Sequence, residues 1–221
     1  MTALFADRMD AGQQLGASLR EFIGGECAGE EIVVLALPRG GVPVAYQVAK
    51  ALGAPLDVFV VRKLGAPLQP ELAMGAIASG GVRIINEEVV RALHVTQEQL
   101  AATAEREARE LERREHAYRG ERAPLDVQGK CVLLVDDGVA TGYSMRAAVA
   151  ALRQRGPKKI IIAAPVAAKD TREELQEHAD AIVCLMTPFD FAAVGQWYRR
   201  FEQTSDDEVR LLLERAAEAS R

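Results

Sequence analysis

Apolar residues along the chain follow two periods. Short runs that are apolar on both faces occur at Glu31–Leu37 (EIVVLAL), Asp57–Val61 (DVFVV), Lys130–Val135, Lys159–Val166 and Ala181–Leu185, and they predict buried strands. Between them lie stretches with helical spacing: Met9–Phe22 (through Met9, Leu15, Leu19 and Phe22), Val42–Leu52, Tyr143–Arg155 and Thr171–His178, and a last helix from Ser205 to about Ala219. Pro43 fits a first helical turn, where its missing N–H costs nothing. Thr171 with Glu174, and Ser205 with Glu208, have the spacing of helix-opening caps. Strands that alternate with helices in this way predict an α/β fold: a parallel sheet covered by helices on both faces.

The middle of the chain departs from that alternation. Leu72–Ala78 and Val82–Ile85, separated by Ser79-Gly80-Gly81, predict a β-hairpin. Asn86 and Thr96 are candidate N-caps, the second as a capping box with Gln99. From Thr96 to about Tyr118 runs a charged helix with a thin stripe of Leu100, Ala104, Ala108 and Leu111, supported by pairs such as Glu105–Arg109 and Glu110–Arg114. This predicts a solvated helix, or one that leans on another subunit. Residues 72–120 therefore read as a hairpin and helical insertion in one domain over residues 1–221. Lys63–Pro70 and Met186–Phe191 read as irregular loops.

Composition narrows the function classes. The 221 residues are 49% hydrophobic and 27% charged, with a net charge of −5 and both signs interspersed. No basic stripe favours nucleic acid as a partner. The longest apolar runs, such as Ile160–Ala168, are far too short to span a bilayer. Asp7, Arg8 and Asp10 stand where a signal peptide would be apolar, so a cytoplasmic protein with no membrane partner is expected. Cys27, Cys131 and Cys184 are widely spaced, and Cys131 and Cys184 sit in apolar strands, which favours buried thiols over a disulfide or a metal role. His94, His116 and His178 lie near no cysteine cluster, which argues against a zinc site.

Ligands of such sheets bind beyond the carboxyl ends of the strands, and two loops there have anion chemistry. In Val132–Ser144 (VLLVDDGVATGYS) an apolar strand runs into Asp136 and Asp137. Carboxylates at that place can accept hydrogen bonds from vicinal hydroxyls or hold a hydrated Mg²⁺. The residues that follow are small or hydroxylated: Gly142 permits a left-handed turn, Thr141 and Ser144 offer hydroxyls, and a helix start offers free N–H groups. An acid pair for a sugar beside a nest for a phosphate describes a ribose 5-phosphate site. In Pro38-Arg39-Gly40-Gly41, two glycines let backbone N–H groups approach a diphosphate, and Arg39 adds a forked charged donor. Neither the GxGxxG nor the GxxxxGK[ST] pattern is present, which excludes the usual dinucleotide fold and a P-loop kinase.

LLVDDGVATGYS resembles the phosphoribosyl pyrophosphate signature of the type I phosphoribosyltransferases. LPRGGVPVA (Leu37–Ala45) resembles the pyrophosphate loop of that family, VRKLGAP (Val61–Pro67) falls where its flexible loop begins, and TPFDFAAVGQWYRRF (Thr187–Phe201) is similar to its C-terminal hood. The similarity spans roughly residues 30–201 and extends to a stand-alone subgroup whose acceptor is not known. The resemblance implies the following site. Asp136, Asp137 and Arg39 would be catalytic, and Ala140, Thr141, Gly142, Tyr143 and Ser144 would hold the 5′-phosphate. Arg39, Gly40, Gly41, Arg62 and Lys63 would hold pyrophosphate, under a lid formed by Leu64–Pro70, with Glu71 as an alternative polar group of that loop. Phe191, or less favourably Phe189, would stack on the acceptor, whereas Trp197 and Tyr198 could as well pack the C-terminal region. Mg²⁺ would lie near Asp136 and Asp137, through water or the ribose hydroxyls. The peptide between Pro38 and Arg39 would be cis. Residues 186–204 would form the hood and residues 205–221 a closing helix.

The expected reaction displaces pyrophosphate from phosphoribosyl pyrophosphate by a nitrogenous acceptor. The alternative is a sensor of the same fold that binds the sugar phosphate without turnover. Two departures bear on the acceptor: 6-oxopurine enzymes of this family carry an aspartate where Ala140 stands, and a lysine after the next strand where this chain has Ala163-Ala164-Pro165-Val166-Ala167. Hypoxanthine and guanine are therefore disfavoured. Tyr143 also narrows the entrance to the phosphate nest. The sequence leaves homo-oligomerisation open.

Overall fold

The computed structural model describes residues 5–67 and 69–219. Five strands form the main sheet: β1 (Ile32–Ala36), β2 (Leu56–Val58), β6 (Cys131–Val135), β7 (Lys159–Val166) and β8 (Ala181–Met186). Their order is β2-β1-β6-β7-β8 and every pairing is parallel. Three more strands, β3 (Val61–Ala66), β4 (Gln69–Ala78) and β5 (Val82–Ile85), form a separate antiparallel sheet.

Strand periodicity divides the core. Val34, Ala36, Leu133, Val135, Ile161 and Ala163 face one side. They are covered there by α1 (Arg8–Glu26), α2 (Gly41–Leu52) and α7 (Asp206–Ala219). Val33, Leu35, Val132, Leu134, Ile160 and Ile162 face the other side, under α5 (Tyr143–Arg153) and Leu175 of α6 (Lys169–Leu175). Both faces are dry, which is why these strands read as continuous apolar runs instead of alternating ones. The predicted α/β class is the observed one.

Several boundaries differ from expectation, each for a local reason. The run Asp57–Val61 is split, because Phe59 still donates to Ala36 in the parallel sheet while the N–H of Val60 is taken by Ser79 Oγ (2.8 Å). Lys63–Pro70 is largely strand, with shifts of register between Leu64 and Ala66. Around Leu68, which lies outside the described residues, it forms the β3–β4 hairpin, with Leu64 and Ala66 buried. Thr171 does not cap α6. Its hydroxyl donates instead to the Ala140 carbonyl (2.6 Å), and Ala168, pinned by its N–H to Val139, begins the helix.

The cap at Asn86 before α3 (Glu87–Ala92), the Thr96–Gln99 capping box of α4 (Gln97–Arg119) and the Ser205 cap of α7 are all formed. The helix α4 is solvated along much of its length, but Leu111 and Tyr118 are buried in the core. Its Arg119 is buried on Asp57, with Nε 2.9 Å from Oδ1 and 3.1 Å from Oδ2, and donates from Nη2 to the Val58 carbonyl. Of its two expected pairs, Glu110–Arg114 is formed at 2.8 Å, and no ion pair joins Glu105 to Arg109 among the described residues.

The cysteines give another correction. Cys27, just past α1, and Cys131, at the start of β6, form a disulfide across 104 residues; Cys184 is free. Wide spacing in sequence carried no sign that α1 runs back along the sheet and brings Cys27 to the first residue of β6. Among the described residues no helix is long and apolar enough to cross a membrane.

Candidate active site

The strands β1 and β6 are neighbours with Ala36 opposite Val135, so the loops that leave their carboxyl ends emerge side by side. The N–H of Leu37 still donates to the Val135 carbonyl (2.9 Å), which carries the pairing one residue into the first loop. That loop contains a cis peptide between Pro38 and Arg39. Its glycines then lie directly on the acid pair. A Cβ on Gly40 would stand 2.0 Å from Asp137 Oδ2, and one on Gly41 would stand 2.8 Å from the Val135 carbonyl and 3.1 Å from Asp136 Oδ1. Only glycine allows this approach. The two candidate anion loops therefore form one surface.

The acid pair is held from several directions. Asp136 Oδ1 accepts the N–H of Asp137 (2.8 Å), and Tyr198 donates its hydroxyl to the Asp137 carbonyl (2.5 Å). Arg8, at the start of α1, donates from Nε to Asp137 Oδ2 (2.7 Å). Burial, reinforced by the neighbouring charge of Asp137, pushes the carboxyl of Asp136 well above the usual carboxylate range. Burial also raises Asp137, against the pull of the Arg8 guanidinium. Burial raises the Tyr198 phenol as well, so it stays a donor.

The loop that follows is anchored at both edges. Val139 bridges to Ala167, donating to Val166 and accepting from Ala168, both at 2.9 Å. Gly142 takes φ +67°, and a Cβ there would stand 2.6 Å from Thr171 Cγ2. The next residue opens α5, whose first N–H groups have no carbonyl partner within the helix. Ala140, Thr141, Gly142, Tyr143 and Ser144 thus wrap a helix N-terminus, where backbone dipoles favour an anion. Tyr143 turns its hydroxyl to the Gly75 carbonyl of β4 (2.7 Å) and so ties this loop to the antiparallel arm.

The other expected residues are placed as follows. Arg39 extends toward the start of α7, 3.6 Å from Asp206, which also accepts the Tyr118 hydroxyl (3.0 Å). Arg62 pairs with Glu107 of α4 (2.7 Å), and Lys63 lies 3.4 Å from Glu71. Together with Arg106 they line a cleft of about 650 Å³ between the hairpin and α4. Glu107 also lines that cleft, and Glu71 belongs to β4, so neither partner comes from the Pro38–Gly41 loop. Phe189 is 85% exposed with Lys169 over its ring (4.8 Å), whereas Phe191 lies against Trp197, centroids 6.4 Å apart. Trp197 and Tyr198 are buried with Phe5 and pack the segment after β8 onto the fold.

Arg8 was missed by sequence reasoning. A lone arginine in a first helical turn is an ordinary surface residue, and no spacing links it to a loop 129 residues away.

Comparison with known proteins agrees with this geometry. Residues 7–197 match the family model described as "Phosphoribosyl transferase domain". Two curated relatives from Mycobacterium tuberculosis, MT0597 of strain CDC 1551 / Oshkosh and Rv0571c of strain ATCC 25618 / H37Rv, are each named "Putative phosphoribosyl transferase". Each is 48% identical to this chain over 213 residues, which is 96% of this chain and 47% of the relative. The chain thus spans about half the length of the curated relatives it matches. The crystal structure of TT1426 from Thermus thermophilus is 42% identical, superposes with a TM-score of 0.83 and covers 95% of this chain and 97% of its own. With the two loops joined at neighbouring strand ends and the match spanning both, the chain belongs to the phosphoribosyl transferase family.

Proposed function

We propose that the protein transfers a phosphoribosyl group from phosphoribosyl pyrophosphate to a nitrogenous acceptor and releases pyrophosphate. One observation carries this reading: the glycines of the Pro38–Gly41 loop lie on the carboxylates of Asp136 and Asp137, so one continuous surface offers diphosphate, ribose and phosphate chemistry.

In this reading the acceptor nitrogen forms the bond to C1 as the C1–O bond to pyrophosphate breaks. The helix start at Ala140–Ser144 binds the 5′-phosphate, and the carboxylates accept hydrogen bonds from the ribose hydroxyls. The backbone N–H of Gly40 and the guanidinium of Arg39 meet the leaving group, whereas the N–H of Gly41 is held by the Leu37 carbonyl (3.1 Å) and keeps the loop in shape. Arg39 must leave Asp206 to do so, an exposed pair that costs little to break. Two carboxylates, one already bonded to Arg8, are too few donors to cage a cation. They fit a Mg²⁺ held chiefly by water and by the oxygens of the ligand, which would neutralise charge on the diphosphate. Ala140 supplies no acid or base, so the proton lost by the acceptor goes to solvent or to a group outside this loop. Phe191 and Phe189, beside Lys169, are the candidate acceptor contacts.

Calorimetric titration of phosphoribosyl pyrophosphate with Mg²⁺, followed by assay of pyrophosphate release across bases and amines, tests the reading. Micromolar binding and release with one acceptor class are expected; no binding would overturn it. Release undiminished in the Asp136→Asn/Asp137→Asn double variant would remove the role given to the acid pair. A second reading, a sensor that binds without turnover, is favoured by Ala140 and by the engagement of Arg39 with Asp206. Binding with no release for any acceptor would select it.

A further inference from the structure

Arg8 occupies the first position of α1, where a long cationic side chain ordinarily reaches solvent, yet its side chain is only 12% exposed. Three groups surround it. Asp137 Oδ2 accepts from Nε (2.7 Å), the Glu202 carbonyl accepts from Nη1 (2.6 Å), and the guanidinium lies over the ring of Phe201 at 3.8 Å. These groups come from the acid pair and from the end of the segment 186–204. The start of α1 is itself fixed. Asp7 accepts from the N–H of Asp10 and pairs with Arg200, and Asp10 accepts from the N–H of Ala6. The oxygen that Arg8 holds, Asp137 Oδ2, is also the atom against which Gly40 packs.

We propose that Arg8 is a positioning residue for the phosphoribosyl ligand, acting through Asp137 by fixing the place of its carboxylate beneath the pyrophosphate loop. The inference rests on the reading of this site as one for phosphoribosyl pyrophosphate. Arg8 need not touch the ligand. Its planar fork serves carboxylate, carbonyl and ring at once, which a lysine cannot do. A carboxylate fixed beforehand loses no rotamer freedom when ribose hydroxyls arrive, so the benefit appears as affinity.

The test is a double-mutant cycle read by calorimetric titration of phosphoribosyl pyrophosphate with Mg²⁺ into the 221-residue chain. Arg8→Gln is expected to weaken binding on the order of tenfold, as loss of a group that orients a binding residue typically does. Arg8→Lys should restore part of that loss. In an Asp137→Asn background, Arg8→Gln should cause little further loss, because the two act as one unit. Full additivity would overturn the proposal, since Arg8 would then work independently of Asp137; binding unchanged or tightened by Arg8→Gln would overturn it too. Should Arg8→Gln fail to fold, Arg8→Lys with and without Asp137→Asn decides on the same criterion. A wild-type chain that binds nothing overturns the site reading beneath the proposal, whereas wild-type binding with additive losses overturns the role of Arg8 alone.

Discussion

The α-carbon of Gly40 lies so close to the carboxylate of Asp137 that a methyl group there would meet Oδ2 at 2.0 Å and Cγ at 2.7 Å. The backbone at Gly40 has φ −58° and ψ −31°, which any residue can adopt. Replacement therefore probes the approach of the two loops and not backbone strain. Gly40→Ala should cost about 1–3 kcal/mol of stability, as inserted methyl groups in packed sites do. It should weaken phosphoribosyl pyrophosphate binding by more than about tenfold, because an error of an ångström at such a site is costly. Wild-type affinity in a folded Gly40→Ala chain would show that the two loops do not act together.

A second prediction concerns Arg119 and Asp57, both buried and joined by two contacts of 2.9 and 3.1 Å. Asp57 also accepts from the N–H groups of Val58 and Leu125, so both of its oxygens are engaged by donors. Removing Arg119 leaves the buried Asp57 without its counter-charge, and removing Asp57 leaves Arg119 only Glu115, at 3.4 Å, as counter-charge. Asp57→Asn or Arg119→Met should each lower unfolding free energy by about 3–5 kcal/mol, measured by urea denaturation. A loss below about 1 kcal/mol would mean that water reaches the pair.

Stability should also depend on Asp136 through pH. Its folded carboxyl is held above its unfolded value by burial and by Asp137. Between those two values the folded chain binds the extra proton, so this group's contribution to stability is present at low pH and is lost as pH rises through the raised value. Asp136→Asn should accordingly raise the melting temperature at pH 7–8 and lessen its decline with pH, while impairing ligand binding. A lower melting temperature at pH 8 would contradict the assignment.

Thiol chemistry supplies a fourth prediction. Of the three cysteines, only Cys184 should react in the unfolded, unreduced chain, and all three after reduction. In the native chain the Cys184 thiol is pushed up to about 11 by burial, so alkylation should stay slow until the pH is well above 9. Reduction of the bridge between Cys27 and Cys131 should lower unfolding free energy by up to about 4–5 kcal/mol in the chain-entropy account, given the 104 residues it spans. Three reactive thiols without reductant would show that the bridge does not form.

What could be read from the sequence followed from local physics. The strands of the main sheet announced themselves because Ile160–Ala164 and Cys131–Val135 are dry on both faces, and Asn86, Thr96 and Ser205 cap helices through bonds to residues two or three positions away. The places of the loops at Arg39 and Asp136, beyond neighbouring strand ends, were legible because each loop directly follows its strand in the chain. Features built across long separations were not. Arg8 on Asp137, Arg119 on Asp57 and Cys27 on Cys131 join residues 129, 62 and 104 positions apart. Arg62 and Lys63 were assigned to pyrophosphate from their place in the sequence, but β3 turns them toward Glu107 and Glu71. Thr171 carried a capping pattern, yet its hydroxyl found the Ala140 carbonyl first.

The register that sets Ala36 opposite Val135 acts as a ruler. The two loops depart from one level of adjacent strands, so their separation begins at the interstrand spacing of about 4.8 Å, a length fixed by backbone hydrogen bonds. No side chain can retune that dimension. Substitutions along the segment after β8, which meets the loop where Val194 covers Gly138, can alter what lies above the acid pair and leave the gauge untouched. Under the proposed function, a change of acceptor would be a matter for that roof, with the gauge between the two loops inherited unchanged from the sheet.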